Sequence, residues 1–589
     1  MKLKTSYFNS TAFKKDVTRF APTWVLYTVL LLMGFATIMD YSTPLYRTEN
    51  IVALISVAGL LNFCYALVTA QLLFGDLCNS RLCSALHAMP LRRECWFGTH
   101  VSAGMLFSIV PNLTVGLLSI ALLDLGKGWI VPLWWILASF IQYLFFFSLA
   151  VLCMMLVGNR FAQVLVYGIV NFFSPMVYWL VDSLYEPLLH GIRVPADFFM
   201  LTCPVYKMAS GLELVEVVRR HVYNETGGIE ESFIDHIAIG SEWVYMIVCA
   251  LLGIALLGLA LVLYRKRKLE SAGDFIAFRF MEPIFLIFYT ICAGAFLHLF
   301  SDIFGGVDLL FLAIGITVGF FTGLMLLRRT TRIFRKKAFV HFAIFVAVFA
   351  LTLVLTWLDP LKITQKIPKA EEVKSVTLSN SSELTYRGEC EVTLTDPDAI
   401  RDMLEIHRSC LKGGESDLYH GNSYNVLLRL EYTLRDGSTM NRFYQLGAES
   451  PAAQIAEGYY SSIECVLGIT EEEIPQFAEK IENVFFHSRR DNTGNLEEPN
   501  IDLEEMLRAI AADCAEGNMA QIHSYHYNCD TDTSSYVTLI EFELYRDIAE
   551  YRELGYRYYS IAVYEEARHT LAWMEANDLM PEEPDPKYG

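Results

Sequence analysis

Trp243-Val-Tyr-Met-Ile-Val-Cys-Ala-Leu-Leu-Gly-Ile-Ala-Leu-Leu-Gly-Leu-Ala-Leu-Val-Leu-Tyr264-Arg-Lys-Arg-Lys268 runs without a charge as far as Tyr264 and then places four cations in succession. A bilayer core about 30 Å thick takes roughly 20 residues of helix. The stretch therefore predicts a membrane-spanning helix with one basic, anchored end. Runs of the same kind lie near 22–39, 51–75, 101–124, 129–157, 161–182, 281–300, 306–327 and 339–358. Together they predict nine spans, with the two termini on opposite sides of the membrane. The run at 129–157 is long enough to tilt or to hold a break.

Charge divides the chain of 589 residues in two. Residues 1–359 hold 26 Lys+Arg against 22 Asp+Glu, whereas 360–589 hold 20 against 43, so an oily, near-neutral half meets an acidic one at about residue 359. Such an excess of acid repels phosphate backbones and excludes a nucleic-acid partner. The 13 cysteines are scattered, with Cys64, Cys153, Cys249 and Cys292 inside apolar runs and no CxxC pair, which argues against a disulfide framework or a zinc ribbon. Cys390, Cys410, Cys465, Cys514 and Cys529 lie in the acidic half, an odd number that leaves at least one unpaired there.

Lysine and arginine on the connections set direction. Lys2, Lys4, Lys14, Lys15 and Arg19 precede the first span. Arg81, Arg92 and Arg93 follow the second, Arg265–Lys268 the sixth, and Arg328, Arg329, Arg332, Arg335, Lys336 and Lys337 the eighth. With nine spans all four groups fall on one side, which predicts a cytoplasmic N-terminus, a multi-pass plasma-membrane protein and an extracellular acidic domain. The first span lacks a small-residue cleavage site and reads as an anchor, not a signal peptide. Before it, Phe13, Val17 and Phe20 recur at helical spacing with Lys14, Lys15 and Arg19 elsewhere on the wheel, Ser10 or Thr11 available as cap and Pro22 at the turn. This predicts an interfacial helix within residues 1–21 that rests on membrane lipid. An ordinary basic flank that only fixes topology is the alternative.

The spans lack the mid-membrane carboxylate by which ion-driven transporters hold their coupling ion. Asp40, Asp76, Asp124, Asp182, Glu242 and Glu282 fall at span ends, Gln71, Asn112, Gln142, Gln163 and Asn171 are neutral, and His298 is expected at the outer interface. There is neither an intramembrane metalloenzyme motif nor a P-loop. Active transport would then need a partner that supplies the ATP.

The loop after the second span is the place for one. Ser80 can cap a helix in which Leu82, Leu86 and Met89 share a face, ended by Pro90, with a basic rim of Arg81, Arg92 and Arg93. A basic amphipathic lead-in, six spans, Ser80-Arg-Leu…Leu86-His-Ala-Met-Pro-Leu-Arg-Arg93 after the second span and a long outer segment before the sixth resemble the ABC-2-type permeases. The tail Tyr264-Arg-Lys-Arg-Lys-Leu-Glu-Ser-Ala-Gly273 resembles the close of that unit in permeases of Gram-positive bacteria. The resemblance covers about residues 1–275. It implies a transport subunit of an exporter without an ATPase site of its own. The loop would act as coupling helix through Arg81, Leu86, Pro90, Arg92 and Arg93. ATP and magnesium would belong to a separately encoded ABC ATPase, and the permease would pair with itself or a second permease. A solvated basic connection is the plain alternative for the loop. Three further spans (281–358) after a basic linker (265–280), and the large outer domain, depart from the simple family pattern. A membrane-anchored receptor whose outer domain binds a peptide or cell-wall component is the rival reading.

In the outer segment 183–241, Leu212, Val215 and Val218 with Arg219 and Arg220 suggest a short amphipathic helix. In residues 359–589, strands are predicted at Val373–Leu378 and Cys390–Leu394, a helix after Asp396-Pro397, and a hairpin in which Val426, Leu428, Leu430, Tyr432 and Leu434 alternate before Asp436-Gly437 and Met440–Leu446. Thr470 with Glu473 makes a capping box. A helix capped by Asp502 with Glu505, strands at Tyr536–Tyr545 and Tyr556–Tyr564, and a last helix from Glu565 follow. The order suggests an α+β domain with a helix–strand–strand unit present twice. His523, His526, Cys529 and Asp530 are of metal-binding type, but their spacing matches no compact zinc pattern. The fold class expected is thus a polytopic α-helical membrane protein (a six-helix unit at 22–264 plus three spans) with a C-terminal extracytoplasmic α+β domain.

Overall fold

A computed structural model describes residues 8–39, 43–89, 91–210, 212–223, 229–301, 308–380, 390–412, 425–447, 461–488, 501–519, 536–544 and 558–577, with a few single positions besides. The chain forms two units, one of Met1–Tyr185 with Val194–Thr352 and one of Glu186–Arg193 with Leu353–Gly589.

The first unit opens with α1 (Ser10–Arg19), α2 (Ala21–Met39), α3 (Pro44–Phe74), α4 (Ser80–His87), α5 (Arg93–Leu122), α6 (Val131–Leu156) and α7 (Arg160–Leu180). Two short helices, α8 (Ala196–Leu201) and α9 (Pro204–Ala209), and a hairpin of β1 (Val215–Tyr223) and β2 (Ile229–Ile239) come next. Then follow α10 (Trp243–Lys266), α11 (Met281–His298), α12 (Asp308–Arg328) and α13 (Lys336–Leu358). Among the described residues nine helices are long and apolar enough to cross a membrane, and they coincide with the nine runs read from the sequence.

Helices α3 and α5 begin at Pro44 and Arg93, well before their apolar runs, because Thr43 caps the Tyr46 amide and Pro44 suits the first helical position. At 31 and 30 residues they are each about 45 Å long and overshoot a bilayer core. The bundle is centred on α6, where Tyr143, Phe146, Phe147, Ala150 and Val151 are fully buried. Its polar core is neutral. Tyr27 Oη donates to Asn62 Oδ1 at 2.7 Å, Asn62 Nδ2 to Gln142 Oε1 at 3.1 Å, and Gln142 Nε2 to the Ile55 carbonyl at 3.1 Å. Side-chain hydrogen bonds of this kind hold membrane helices together where lipid supplies no hydrophobic drive.

Helix α12 shows how the seventh and eighth spans are packed. Gly315, Gly319 and Gly323 recur every four residues and form a groove that α11 enters so closely that a Cβ on Gly319 would lie 2.6 Å from the Ala293 Cβ. The GxxxG spacing is the sequence signal for this contact. His298 ends α11, as its place at the end of the run implied, and is buried against the protein there, with Nε2 2.7 Å from Ser183 Oγ. Of the residues expected to form an amphipathic helix at 212–220, Val215, Val218, Arg219 and Arg220 lie in β1, paired from Val215 with Ile239 to Tyr223 with Ile229, and Leu212 lies just before it. Their helical spacing was fortuitous: Val215, Val217 and Val218 are β-branched and meet a strand rich in isoleucine.

In the second unit β3 (Val373–Asn380), β4 (Cys390–Leu394), α14 (Pro397–Lys412), β5 (Asn425–Leu434) and β6 (Thr439–Gly447) build an antiparallel sheet in the order β4-β3-β5-β6. Asp396 caps α14, and Ile400, Met403, Leu404 and His407 are buried, as the spacing predicts. Gly437 takes φ +85° in the hairpin turn. The short helices α15 (Ile463–Val466) and α16 (Ile474–Ala478), the latter behind the Thr470–Glu473 capping box, precede β7 (Ile481–Ser488). Next come α17 (Leu503–Ala515), β8 (Tyr536–Leu544), β9 (Tyr558–Tyr564) and α18 (Arg568–Ala576), with sheet order β7-β8-β9. The orders β3-β4-α14-β5-β6 and β7-α17-β8-β9 share a strand, a helix and two further strands, β4 being extra in the first, and each opening strand is antiparallel to the strand after the helix. The sequence reading missed β7. His523, His526, Cys529 and Asp530 lie outside the described residues.

Two predictions follow from these cores. Gly319→Leu should force α11 and α12 apart and cost about 1–3 kcal/mol, as overpacking does, and so lower the melting temperature in detergent. Val318→Leu, on an exposed position of the same helix, should leave it unchanged. In the second unit, burial and the nearby Arg442 and Arg408 push the His407 pKa from 6.5 down to about 4. The unfolded chain takes up a proton between those values and the folded form does not, so the unit should lose stability as pH falls, by about 2 kcal/mol between pH 6.5 and 5. Thermal denaturation of the full chain across that window should show the loss, and His407→Leu should remove it.

Candidate functional site

The connections at one end of the bundle converge on the segment 75–100. Asn79, not Ser80, caps α4: its Oδ1 accepts from the Arg81 and Leu82 amides at 3.0 and 3.3 Å. Among the described side chains of α4, Cys83 is buried, while Arg81 and Leu82 are exposed, as is Met89 just after the helix. The side chains of Leu86 and His87, and Pro90, lie outside the described residues. Arg92 is exposed at the start of α5. The segment therefore presents apolar and basic side chains outward from a helix that buries Cys83.

Arg93 has a different place. Its guanidinium donates to the carbonyls of Tyr264, Arg265 and Arg267 at 3.3, 3.3 and 2.9 Å, and so closes the C-terminal end of α10. Glu94 beside it pairs with Arg265 at 3.0 Å. Arg267, only 5% exposed, continues the chain of contacts by donating to the carbonyls of Met154 at 2.7 Å and Leu77 at 3.1 Å. A cation at the carbonyl ends of α6 and of the turn after α3 meets the negative ends of both helix dipoles. Nothing in the sequence separates Arg267 from the three cations around it.

Helix α1 joins the same site. Asn9 caps it by accepting from Thr11 and Ala12, where Ser10 or Thr11 had been expected to do so. Phe13, Val17 and Phe20 are half-buried against the bundle core, and Lys14, Lys15 and Arg19 are exposed. Asp16, which the helical-wheel reading left out, is buried and lies 2.8 Å from Nδ1 of buried His100 on α5. The Asn9 amide donates to Thr99 Oγ1 at 3.1 Å. Trp96 stacks on the His100 ring, and Phe74 meets its edge. The segment after α10 is pinned too. The Gly158 amide donates to the Asp274 carbonyl at 3.1 Å and the Gly273 amide to Gly158 at 2.7 Å, and a Cβ on Gly158 would lie 2.1 Å from the Ser271 carbonyl oxygen. Arg329, after α12, binds Asp274 and the Gly273 carbonyl.

The opposite end carries another set of ties. Lys207 pairs with Glu242 at 2.7 Å, Arg219 with Glu49 at 2.6 Å, and Lys127 donates to the Asp235 carbonyl at 2.8 Å. The connections thus sort into two groups, as alternate crossings require. In the second unit, Asp513, Glu516 and His569 bring ligand-type atoms within 4.8 Å of one another. Asp513 is already engaged: its two oxygens accept from the His569 and Thr570 amides and the Thr570 hydroxyl, capping α18. Comparison of the chain with protein-family models, with curated proteins and with solved structures gives no match.

Removal of the Arg267 head group leaves buried carbonyls unpaired, a loss of about 1–3 kcal/mol per group. Arg267→Ala should therefore lower the thermal stability of the full chain strongly, and Arg267→Lys should restore it only in part, since one ammonium cannot span both sets of carbonyls. A double-mutant cycle on Asp16→Ala and His100→Ala should return a coupling of about 1–3 kcal/mol.

Proposed function

We propose that the chain is the membrane-embedded permease subunit of an exporter driven by a separately encoded ATPase, which docks on the segment 75–100 from the cytoplasm. The observation that carries this reading is the linkage from an outward-facing helix to the ends of three spans. Exposed Arg81, Leu82, Met89 and Arg92 offer a surface with apolar and basic character. Arg93 joins that surface to α10, and Arg267 joins α10 to α3 and α6. A solvated loop that only set topology would need no such connection. Force applied at α4 passes to three helices at once, while α1 moves with α5 through Asp16 and His100.

The basic connections support a cytoplasmic position for this end and an outer position for the second unit. The neutral bundle core supports an external energy source: its buried polar side chains include Asn62, Asn112, Gln142, Gln163 and Asn171, and no carboxylate among the described residues of α2 to α7 is buried. ATP and magnesium act on the partner. The permease works as a dimer with itself or with a second permease.

Affinity purification of the full chain from its native membranes should bring down a nucleotide-hydrolysing subunit. Arg92→Glu and Leu82→Glu, which alter exposed side chains, should each reduce that recovery at least ten-fold without lowering the thermal stability. Undiminished recovery with both variants, or purification without any ATPase, contradicts the proposal.

A further inference from the structure

The soluble unit is not continuous in sequence. It takes Glu186–Arg193, from between the fifth and sixth spans, in addition to Leu353–Gly589. This borrowed segment lies on β6, which has a neighbouring strand on one side only. The Phe443 amide donates to the Gly191 carbonyl at 3.0 Å. The Arg193 guanidinium sits 3.9 Å from the centroid of the Phe443 ring, a cation–π contact. His190 lies beside Tyr444, with ring centroids 5.9 Å apart, and its Nε2 is 3.4 Å from the Cys410 carbonyl oxygen. Gly191 has φ +74°, and a Cβ there would lie 2.5 Å from the Tyr444 ring, so a side chain is excluded twice.

The same strand holds the chain that follows the last span. Arg442, 6% exposed, donates to the carbonyls of Ile363 at 3.0 Å and Lys366 at 3.1 Å. Asp359 sets up that stretch by accepting from the Ile363 and Thr364 amides, each at 2.9 Å. Three consecutive residues, Arg442, Phe443 and Tyr444, thus hold both the segment 186–193 and the stretch that follows the last span.

We propose that Glu186–Arg193 is a strap through which the state of the soluble unit is imposed on the outer segment 194–209. A single tether would let the soluble unit pivot without effect on the helices. Two tethers on one strand do not. A shift of β6, for example on ligand binding, draws on Val194 and hence on α8 and α9. Those helices lie against the spans: Ser174 of α7 donates to the Phe199 carbonyl at 3.0 Å, and a Cβ on Gly59 of α3 would lie 2.6 Å from the Met208 carbonyl oxygen. The inference is independent of the energy source proposed above, since it concerns only how the two units are joined.

Hydrogen–deuterium exchange of the full chain in lipid nanodiscs tests it, with Gly191→Val and Phe443→Ala as variants. In the native protein the Phe443 amide, which donates to the Gly191 carbonyl, should exchange at least ten-fold more slowly than open chain. Gly191→Val should remove that protection, and both variants should speed exchange over 196–209 at least three-fold, while the β3 peptide over 373–379 stays unchanged and shows that the sheet is intact. If Gly191→Val also loosens β3, Phe443→Ala, which keeps the backbone bond and loses only the ring against Arg193, decides the matter through 196–209. Open-chain exchange of the Phe443 amide in the native protein overturns the strap. Release of that amide with no effect on 196–209 overturns its coupling role.

Discussion

The guanidinium of Arg267 is buried at one end of the bundle and is held there by backbone carbonyls of two other helical segments. A charge taken out of water costs several kcal/mol unless such partners surround it, so the carbonyls and the cation fix one another. The ends of α3, α6 and α10 become a single body, to which Arg93 attaches the start of α5. Membrane helices gain little from apolar contact with one another, because lipid tails are equally apolar. Polar ties of this kind, the neutral Tyr27–Asn62–Gln142 chain and the close approach at Gly319 therefore set which helices move together.

That division of labour has a consequence for mechanism. The core of the six-span unit contains hydrogen-bonding side chains without net charge, so it can be rigid without holding an ion. The basic end holds buried or paired charges, with Arg93 and Arg267 on backbone carbonyls, Asp16 with His100 and Glu94 with Arg265, beside exposed cations such as Arg81 and Arg92. On the function proposed above, energy would enter as mechanical displacement of the exposed surface of α4. At the other end the chain is equally constrained, with short helices, a hairpin and a strap in place of a plain loop.

All nine spans could be read from hydropathy, because about 20 uncharged residues have few other fates. The soluble strands β3 to β6 and helix α14 were equally plain, since alternation, Asp436-Gly437 and Asp396-Pro397 agree with one another. What escaped was long-range. Arg267 looks like any juxtamembrane cation, and Asp16 looks like an interruption of the basic face of α1, until each meets a partner tens or hundreds of residues away. Helical spacing at Leu212, Val215 and Val218 misled because only the partner strand at Ile229–Ile239 decides between helix and sheet. The glycine ridge of α12 was written in the sequence, but hydropathy does not weigh it. In the loop after the second span, Arg81 and Arg92 are exposed, whereas Arg93, which the sequence does not distinguish from them, is a structural tie to the end of α10.

The central claim is that α4 faces the compartment where ATP is available. Its most direct test is site-specific labelling of Leu82→Cys, in intact cells and in inverted membrane vesicles, with a maleimide that does not cross membranes. The exposure of Leu82 and the burial of the neighbouring Cys83 predict strong labelling in the inverted vesicles and none above the native background in intact cells. Labelling of Leu82→Cys from outside intact cells would contradict the account, because no ATPase could then reach the helix on which it depends.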